Sequence, residues 1–250
     1  MYVRRLPGES LAVSPWEELA RLVLRTIPPE FYPEHFGRSE RRRRRPEFDV
    51  SNEEKLSEHI RRYGGVSSFF GADYELATML DIGHLTWLLL HSRSVANGAR
   101  LASEWFPRLL DRMYYGFACA PDEHEHRNGH EMWMINNPRP AHGWVGRDIG
   151  RYVPGLYWLN LFSREFAERH KIDVSGLAAR TGADLRESLD GHVLQLYDSP
   201  ARWSEWSESI DDILFETPGF FSKRRVQFPE GPLEPRELTR IGGEIWKQWP

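Results

Sequence analysis

The segment Leu156-Tyr-Trp-Leu-Asn-Leu-Phe162, entered through Pro154-Gly155, constrains the fold more than any other stretch of the chain. A Pro-Gly pair punctuates the backbone as a turn. Every position of the run that follows is apolar or aromatic except Asn160. Strict alternation of apolar and polar residues marks a strand with one wet face. A nearly continuous run of this length marks a strand covered on both faces. Such a strand requires neighbours on either side and packed layers above and below it. Asn160 is expected to hydrogen-bond to a loop, because a buried amide left without a partner costs about 1–3 kcal/mol. None of these side chains is a competent acid, base or nucleophile in that setting, so the segment specifies a fold rather than an active site.

The remaining elements follow from periodicity and punctuation. Leu85-Thr-Trp-Leu-Leu-Leu-His91 reads as a second buried strand, with Ser67–Phe70, Glu75–Leu80, Tyr114–Ala120 and His192–Tyr197 as further strands. Ser14-Pro15 opens a helix over Trp16–Arg25, and Ser51-Asn-Glu-Glu54 resembles a capping box that opens a helix ending near Tyr63. Ala96–Met113 carries Leu101, Trp105, Leu109 and Leu110 at helical spacing, with Pro107 as a kink point. Short helices are expected over Arg164–His170, Ser175–Ala179, Trp203–Ile213 and Pro235–Trp246. This pattern predicts an α+β fold: a mixed, mostly antiparallel sheet flanked by helices. Strand 85–91, helix 96–113 and strand 114–120 echo strand 156–162, helices 164–179 and strand 192–197, which suggests two similar strand-helix-strand halves. Residues 1–65 read as a helical N-terminal region with an Arg-rich loop, in the same domain or as an extension of it, and residues 66–250 as the main α+β domain.

Bulk properties exclude some functions. With 250 residues, 40% of them hydrophobic, the chain can bury a sizeable core. A formal net charge of -4 argues against a general nucleic-acid binder, which needs a net basic face. The single cysteine, Cys119, cannot form an intramolecular disulfide, so nothing marks an oxidising compartment. The stretch Met1 to Gly8 lacks an apolar leader, and no run is long enough to span a bilayer. A cytoplasmic protein without membrane contact is expected.

Few constellations suggest chemistry. Asp122-Glu-His-Glu-His126, followed by His130-Glu131, supplies side chains that ligate divalent metals. His124, His126 and His130 therefore define an alternative reading as a metal-dependent hydrolase, with His142 and Asp148 available from a returning loop. Against it, no single backbone conformation aligns all three imidazoles, and the spacing is not that of a helical zinc-protease motif. Cys119 lies in an apolar strand and reads as an inert thiol. Gly143-Trp-Val-Gly-Arg-Asp-Ile-Gly150 lacks both the dinucleotide and the phosphate-loop pattern. Arg41–Arg45 reads as a solvated loop, flanked as it is by Glu40 and Glu47, with a nucleic-acid patch as the competing reading. The acidic stretch Glu205–Asp212 interleaves with Trp203 and Trp206, which share one helical face. They belong either to the core or to an aromatic-acidic docking surface. Neither a cofactor nor a catalytic group is expected.

Two segments carry a family resemblance. Val145-Gly-Arg-Asp-Ile-Gly-Arg-Tyr-Val-Pro-Gly-Leu-Tyr-Trp-Leu-Asn-Leu-Phe162 and Asp190-Gly-His-Val-Leu-Gln-Leu-Tyr197 resemble the type VI secretion immunity proteins built on the DUF3396/Imm52-like domain. A vaguer third piece is the strand and helix leading to Tyr114-Tyr-Gly-Phe117. The resemblance covers roughly residues 80–215, and the N-terminal third lies outside it. It implies an antidote that binds a cognate secreted toxin and occludes its active site, commonly a nuclease of restriction-endonuclease-like fold. An acidic face opposite a basic cleft would speed such an encounter. The candidate partner-binding residues are Asp122, Glu123, Glu125, Trp203, Glu205, Trp206 and Glu208.

Overall fold

The computed structural model describes residues 2–4, 15–38, 48–63, 67–82, 85–132, 141–146, 149–226 and 228. The arginine run 41–45, the Ser14 cap, Asp148, the side chain of His142 and the helix expected at 235–246 lie outside the described residues.

In chain order the elements are β1 (Tyr2–Arg4), α1 (Pro15–Thr26), β2 (His35–Arg38), β3 (Phe48–Asp49), α2 (Glu53–Tyr63), β4 (Ser67–Phe70), β5 (Tyr74–Ile82) and β6 (Leu85–Ser92). There follow α3 (Val95–Trp105), β7 (Met113–Ala118), α4 (Pro121–Asn128), β8 (Gly129–Met132) and β9 (Ala141–Trp144). The chain continues through β10 (Leu159–Ser163), α5 (Arg164–Arg169), α6 (Val174–Thr181), β11 (Asp184–Glu187), β12 (Gly191–Gln195) and α7 (Ser207–Glu216). Ten strands form one sheet in the order β11-β12-β10-β7-β1-β6-β5-β4-β2-β3, and β8 and β9 form a separate hairpin. The architecture is α+β. Every ladder between these strands is antiparallel, with a lone parallel bridge between Val153 and Phe220. β2 and β3 extend the sheet beyond β4.

Local chemistry sets several boundaries. Asn52, not Ser51, caps α2 by accepting a hydrogen bond from the Lys55 amide at 3.1 Å. Helix α3 is capped by Ser94, which accepts from the Asn97 amide. It stops at Trp105, eight residues short of the end expected from its apolar spacing, and tightens into a 3₁₀ turn over Phe106–Leu109. Pro107 accounts for the change, because it lacks the amide that the next α-helical turn requires.

Strand β10 lies at the centre of the core. All five of its residues are buried, as the unbroken apolar run predicts. It pairs with β7 on one side and β12 on the other. Phe162 and Tyr115 stack on Phe166 of α5, with Tyr115 and Phe166 centroids 4.7 Å apart. Regular pairing begins only at Leu159, three residues later than the apolar pattern suggests. The reason is Asn160, whose side chain accepts from the Tyr157 amide at 3.0 Å and donates to the Tyr157 carbonyl at 2.7 Å. One amide thus replaces the ladder partners of a residue that has left the sheet.

The expected echo between the halves is present in the topology, with a different closing strand. β6 and β7 both run antiparallel to β1, which lies between them, so α3 connects two parallel strands separated by one inserted strand. β10 and β11 both run antiparallel to β12 in the same manner, and α5 and α6 connect them. The element corresponding to β7 is therefore β11, a polar edge strand, and β12 is the inserted one.

Candidate interaction face at the junction of α4 and α7

Two segments singled out in the sequence, some eighty residues apart, meet in space. Residues 121–128 fold as α4, with Pro121 at its first position and Asp122 and Glu123 in its first turn, where acidic groups complement the helix dipole. Residues 200–205 form a 3₁₀ turn that leads into α7. The ring of His126 lies 5.2 Å from that of Trp203, and its Nε2 lies 2.7 Å from Asp211 Oδ2. Trp206 lies parallel to Tyr197 at 6.4 Å. The Lys223 ammonium donates to the carbonyls of His126 (2.8 Å) and Gly129 (2.6 Å), closing the C-terminal end of α4.

Beneath this junction is a buried charge network. Glu123 and Arg127 sit one helical turn apart on α4, and both point inward. Glu123 has 0% exposure. Its Oε1 accepts from the Tyr197 hydroxyl at 2.5 Å and lies 3.5 Å from Arg127 Nε. Arg127 donates through Nη1 to Asp211 Oδ1 at 2.8 Å. One guanidinium thus serves two carboxylates unequally, and their proton affinities diverge. Burial pushes the Glu123 carboxyl up to about 7, against the opposing influence of Arg127 and the Tyr197 hydroxyl. Burial also raises Asp211, but the His126 hydrogen bond and the charges of Arg127, His126 and Arg224 outweigh it and hold Asp211 below its ordinary value. The Tyr197 hydroxyl is pushed far up by burial and by the adjacent Glu123.

The signature segment supports this network. The Tyr157 hydroxyl donates to Asn128 Oδ1, at the end of α4. Asn128 in turn donates to the carbonyls of Val145 (2.9 Å) and Pro154 (3.1 Å). The Trp158 indole donates to the Tyr197 carbonyl at 2.8 Å, and the Leu196 amide donates to the Trp158 carbonyl at 2.9 Å. Tyr157 therefore fixes α4, and Trp158 fixes the residue that bonds Glu123.

The surface above the network has a mixed character. Trp206, the N-cap of α7, is 38% exposed, and Phe215, near the C-terminal end of that helix, is 47% exposed. Glu205, Glu208, Asp212 and Glu216 are exposed around them. The acids are mostly compensated from within the fold. Arg202 bonds Glu205 at 2.7 Å, Arg224 bonds Asp212 at 2.5 Å, and Arg180 bonds Glu216 at 3.1 Å. Part of the charge of the acidic stretch Glu205–Asp212 is thus compensated within the fold.

The candidate residues divide accordingly. Asp122, Glu125, Glu205, Trp206 and Glu208 lie at the surface, and Trp203 is half-buried against the core. Glu123 is enclosed, so its role is internal and it presents nothing to a partner. Asp211 belongs to the acidic stretch and Tyr197 to the second resemblance segment, whereas Arg127, Phe215 and Lys223 carry no sequence signal of their own. Only the i, i+4 pairing of Glu123 with Arg127 was readable there.

The three histidines of the hydrolase alternative have separate surroundings. His124 packs edge-on to Tyr157 at 6.0 Å, His126 bonds Asp211, and His130 stacks on Phe228 at 3.8 Å. Burial lowers the proton affinity of His130, aided by the charge of Lys223. Among the described residues, no group of three or more His, Cys, Asp or Glu side chains is placed to hold a metal ion. Cys119, at the end of β7, is half-buried.

The fold defines an α+β protein built on a ten-stranded sheet, with a charge network buried at the junction of α4 and α7. No protein-family model matches the chain, and no curated protein matches it. Among solved structures it is similar to the Pseudomonas aeruginosa T6SS protein PA0821, at 14% identity and a TM-score of 0.42, over 87% of this chain and 76% of that one. Among the described residues, no helix is long and apolar enough to cross a membrane.

Proposed function

We propose that this protein is an immunity protein, which acts in the cytoplasm by binding a cognate secreted bacterial toxin and covering its active site, without turnover of its own. The resemblance of residues 145–162 and 190–197 to type VI secretion immunity proteins supports the reading and suggests a nuclease toxin of restriction-endonuclease-like fold. The observation that carries it is the N-terminal end of α7, where Trp206 is exposed next to the paired charges of Arg202 and Glu205. Large aromatic anchors within a polar rim are the anatomy of a protein-protein hot spot. Surface ion pairs of this kind are each worth about 0–1 kcal/mol, so the rim can exchange its internal partners for those of another protein at little cost.

The test is genetic and biochemical. A secreted protein with a toxic C-terminal domain, encoded beside this gene, is expected to arrest growth when expressed alone. Co-expression of this protein is expected to restore growth, and the pair to co-purify. Growth arrest that persists despite full expression of this protein, with no complex recovered, would overturn the reading.

A further inference from the structure

The network under the junction joins parts of the chain that are not otherwise close in sequence. Helix α4 is tied to α7 through Arg127–Asp211 and His126–Asp211, and to the end of β12 through Glu123–Tyr197. The charges facing Glu123 and its partners come from several elements. α4 supplies Glu125, His126 and Arg127, and α7 supplies Glu208, Asp211 and Asp212. The turn after α7 supplies Lys223 and Arg224, and Tyr197 and the Cys119 thiol complete the set. Arg127 and Asp211 form a compact neutral pair at 2.8 Å. An ionised Glu123, though it accepts from the Tyr197 hydroxyl and the Trp158 amide, is then a surplus negative charge inside the protein, 3.5 Å from a guanidinium that bonds Asp211. Burial of such a charge is costly unless it is fully paired.

We propose that Glu123 is a built-in proton-binding group that sets how firmly α4 is clasped to α7, the clasp tightening when its carboxyl is neutral and Arg127 belongs wholly to Asp211. The inference stands apart from the toxin reading, since it concerns the junction whether or not a partner binds there.

The sign of the linkage follows from two opposite shifts. Glu123 binds its proton more tightly in the folded protein, at about 7 against an ordinary 4.5. Between these values the folded protein holds a proton that the unfolded chain has lost, so stability falls as pH rises from 4.5 through 7. Asp211 is shifted down, so its contribution is present above its unfolded value and lost as pH falls through its folded one. The junction is therefore firmest in mildly acidic solution.

The experiment is urea unfolding of the full chain from pH 5.5 to 8.5. Because histidines change charge in the same range, it is run in a His126→Gln background as well. A carboxyl near 7 instead of 4.5 raises the folded-to-unfolded ratio about 30-fold between pH 8.5 and pH 5.5. Because His130 and His170, with lowered proton affinities, oppose it as pH falls, the increase is read as a difference: wild type is expected to exceed E123Q by that factor, and H126Q to exceed H126Q/E123Q by the same factor. Absence of the difference in either background would overturn the proposal. Should E123Q fail to fold, isotope-edited infrared spectroscopy of wild type reads the carboxyl directly. A protonated Glu123 at pH 6 supports the clasp, and one already ionised at pH 5.5 refutes it.

Discussion

Replacing Arg127 with Met tests the network as a unit. The guanidinium is enclosed, with its side chain 1% exposed, and bonds Asp211 at 2.8 Å while lying 3.5 Å from Glu123. Methionine fills much of the same volume but leaves both carboxylates without their cation. Removing one partner of a buried ion pair typically costs 3–5 kcal/mol, because the remaining charge is left uncompensated. Two features place Arg127→Met at the lower end of that range. Asp211 keeps its 2.7 Å contact with His126, and Glu123 relieves its own burial by taking a proton. The expected loss at pH 8 is about 3 kcal/mol. For a chain of this length, that lowers Tm by roughly 6–12 °C. The triple variant E123Q/R127M/D211N removes all three charges while keeping acceptors for Tyr197 and His126, and is expected to recover about 2 kcal/mol relative to R127M. Urea unfolding followed by tryptophan fluorescence measures both, provided the m-value stays constant. A cost below about 1 kcal/mol for R127M, or a triple variant no more stable than R127M, would show that the charges are not mutually dependent.

Three further outcomes are expected. Asn160→Ala removes the side chain that bonds both the amide and the carbonyl of Tyr157 inside the core and should cost about 2–3 kcal/mol in denaturant unfolding; a loss within 0.5 kcal/mol would mean that the extended segment is held by something else. Gly191→Ala places a Cβ 2.3 Å from the Phe162 carbonyl oxygen, a backbone atom that cannot swing aside, and is expected to lower stability by about 2–3 kcal/mol; an unchanged Tm would indicate that β10 and β12 can shift apart. Trp206→Ala combined with Phe215→Ala should leave stability within about 1 kcal/mol yet weaken toxin binding by at least about tenfold, as read by titration calorimetry. Unchanged affinity would move the interface elsewhere without disproving that a complex forms.

What was legible in the sequence follows from the range of the forces involved. The helices over 15–26 and 53–63 and the strands β4, β6 and β10 announce themselves through local periodicity and punctuation, which depend on residues a few positions apart. Edge strand β11, Asp-Leu-Arg-Glu, was passed over because three of its four residues are polar or charged, as suits a solvent-facing edge. The meeting of 121–128 with 203–216 depends on Asp211 reaching Arg127 across 84 positions, and a single sequence carries no signal at that separation. The same limit hides the pairing of the acids on α7. The acids are adjacent in sequence, while two of the cations that neutralise them, Arg180 and Arg224, arrive from other segments.

The most distinctive sequence segment and the most distinctive site are connected by physical links rather than by chemistry. Tyr157 and Trp158 are fully packed, and their side-chain polar atoms donate to Asn128 and to the Tyr197 carbonyl. Those bonds fix the spacing between α4 and Tyr197 at which a hydroxyl meets the Glu123 carboxylate at 2.5 Å. A scaffold of this kind can keep its own residues unchanged while the outer surface of α7 varies, because Trp206, Glu208 and Phe215 take no part in the bonds that hold α4 in place.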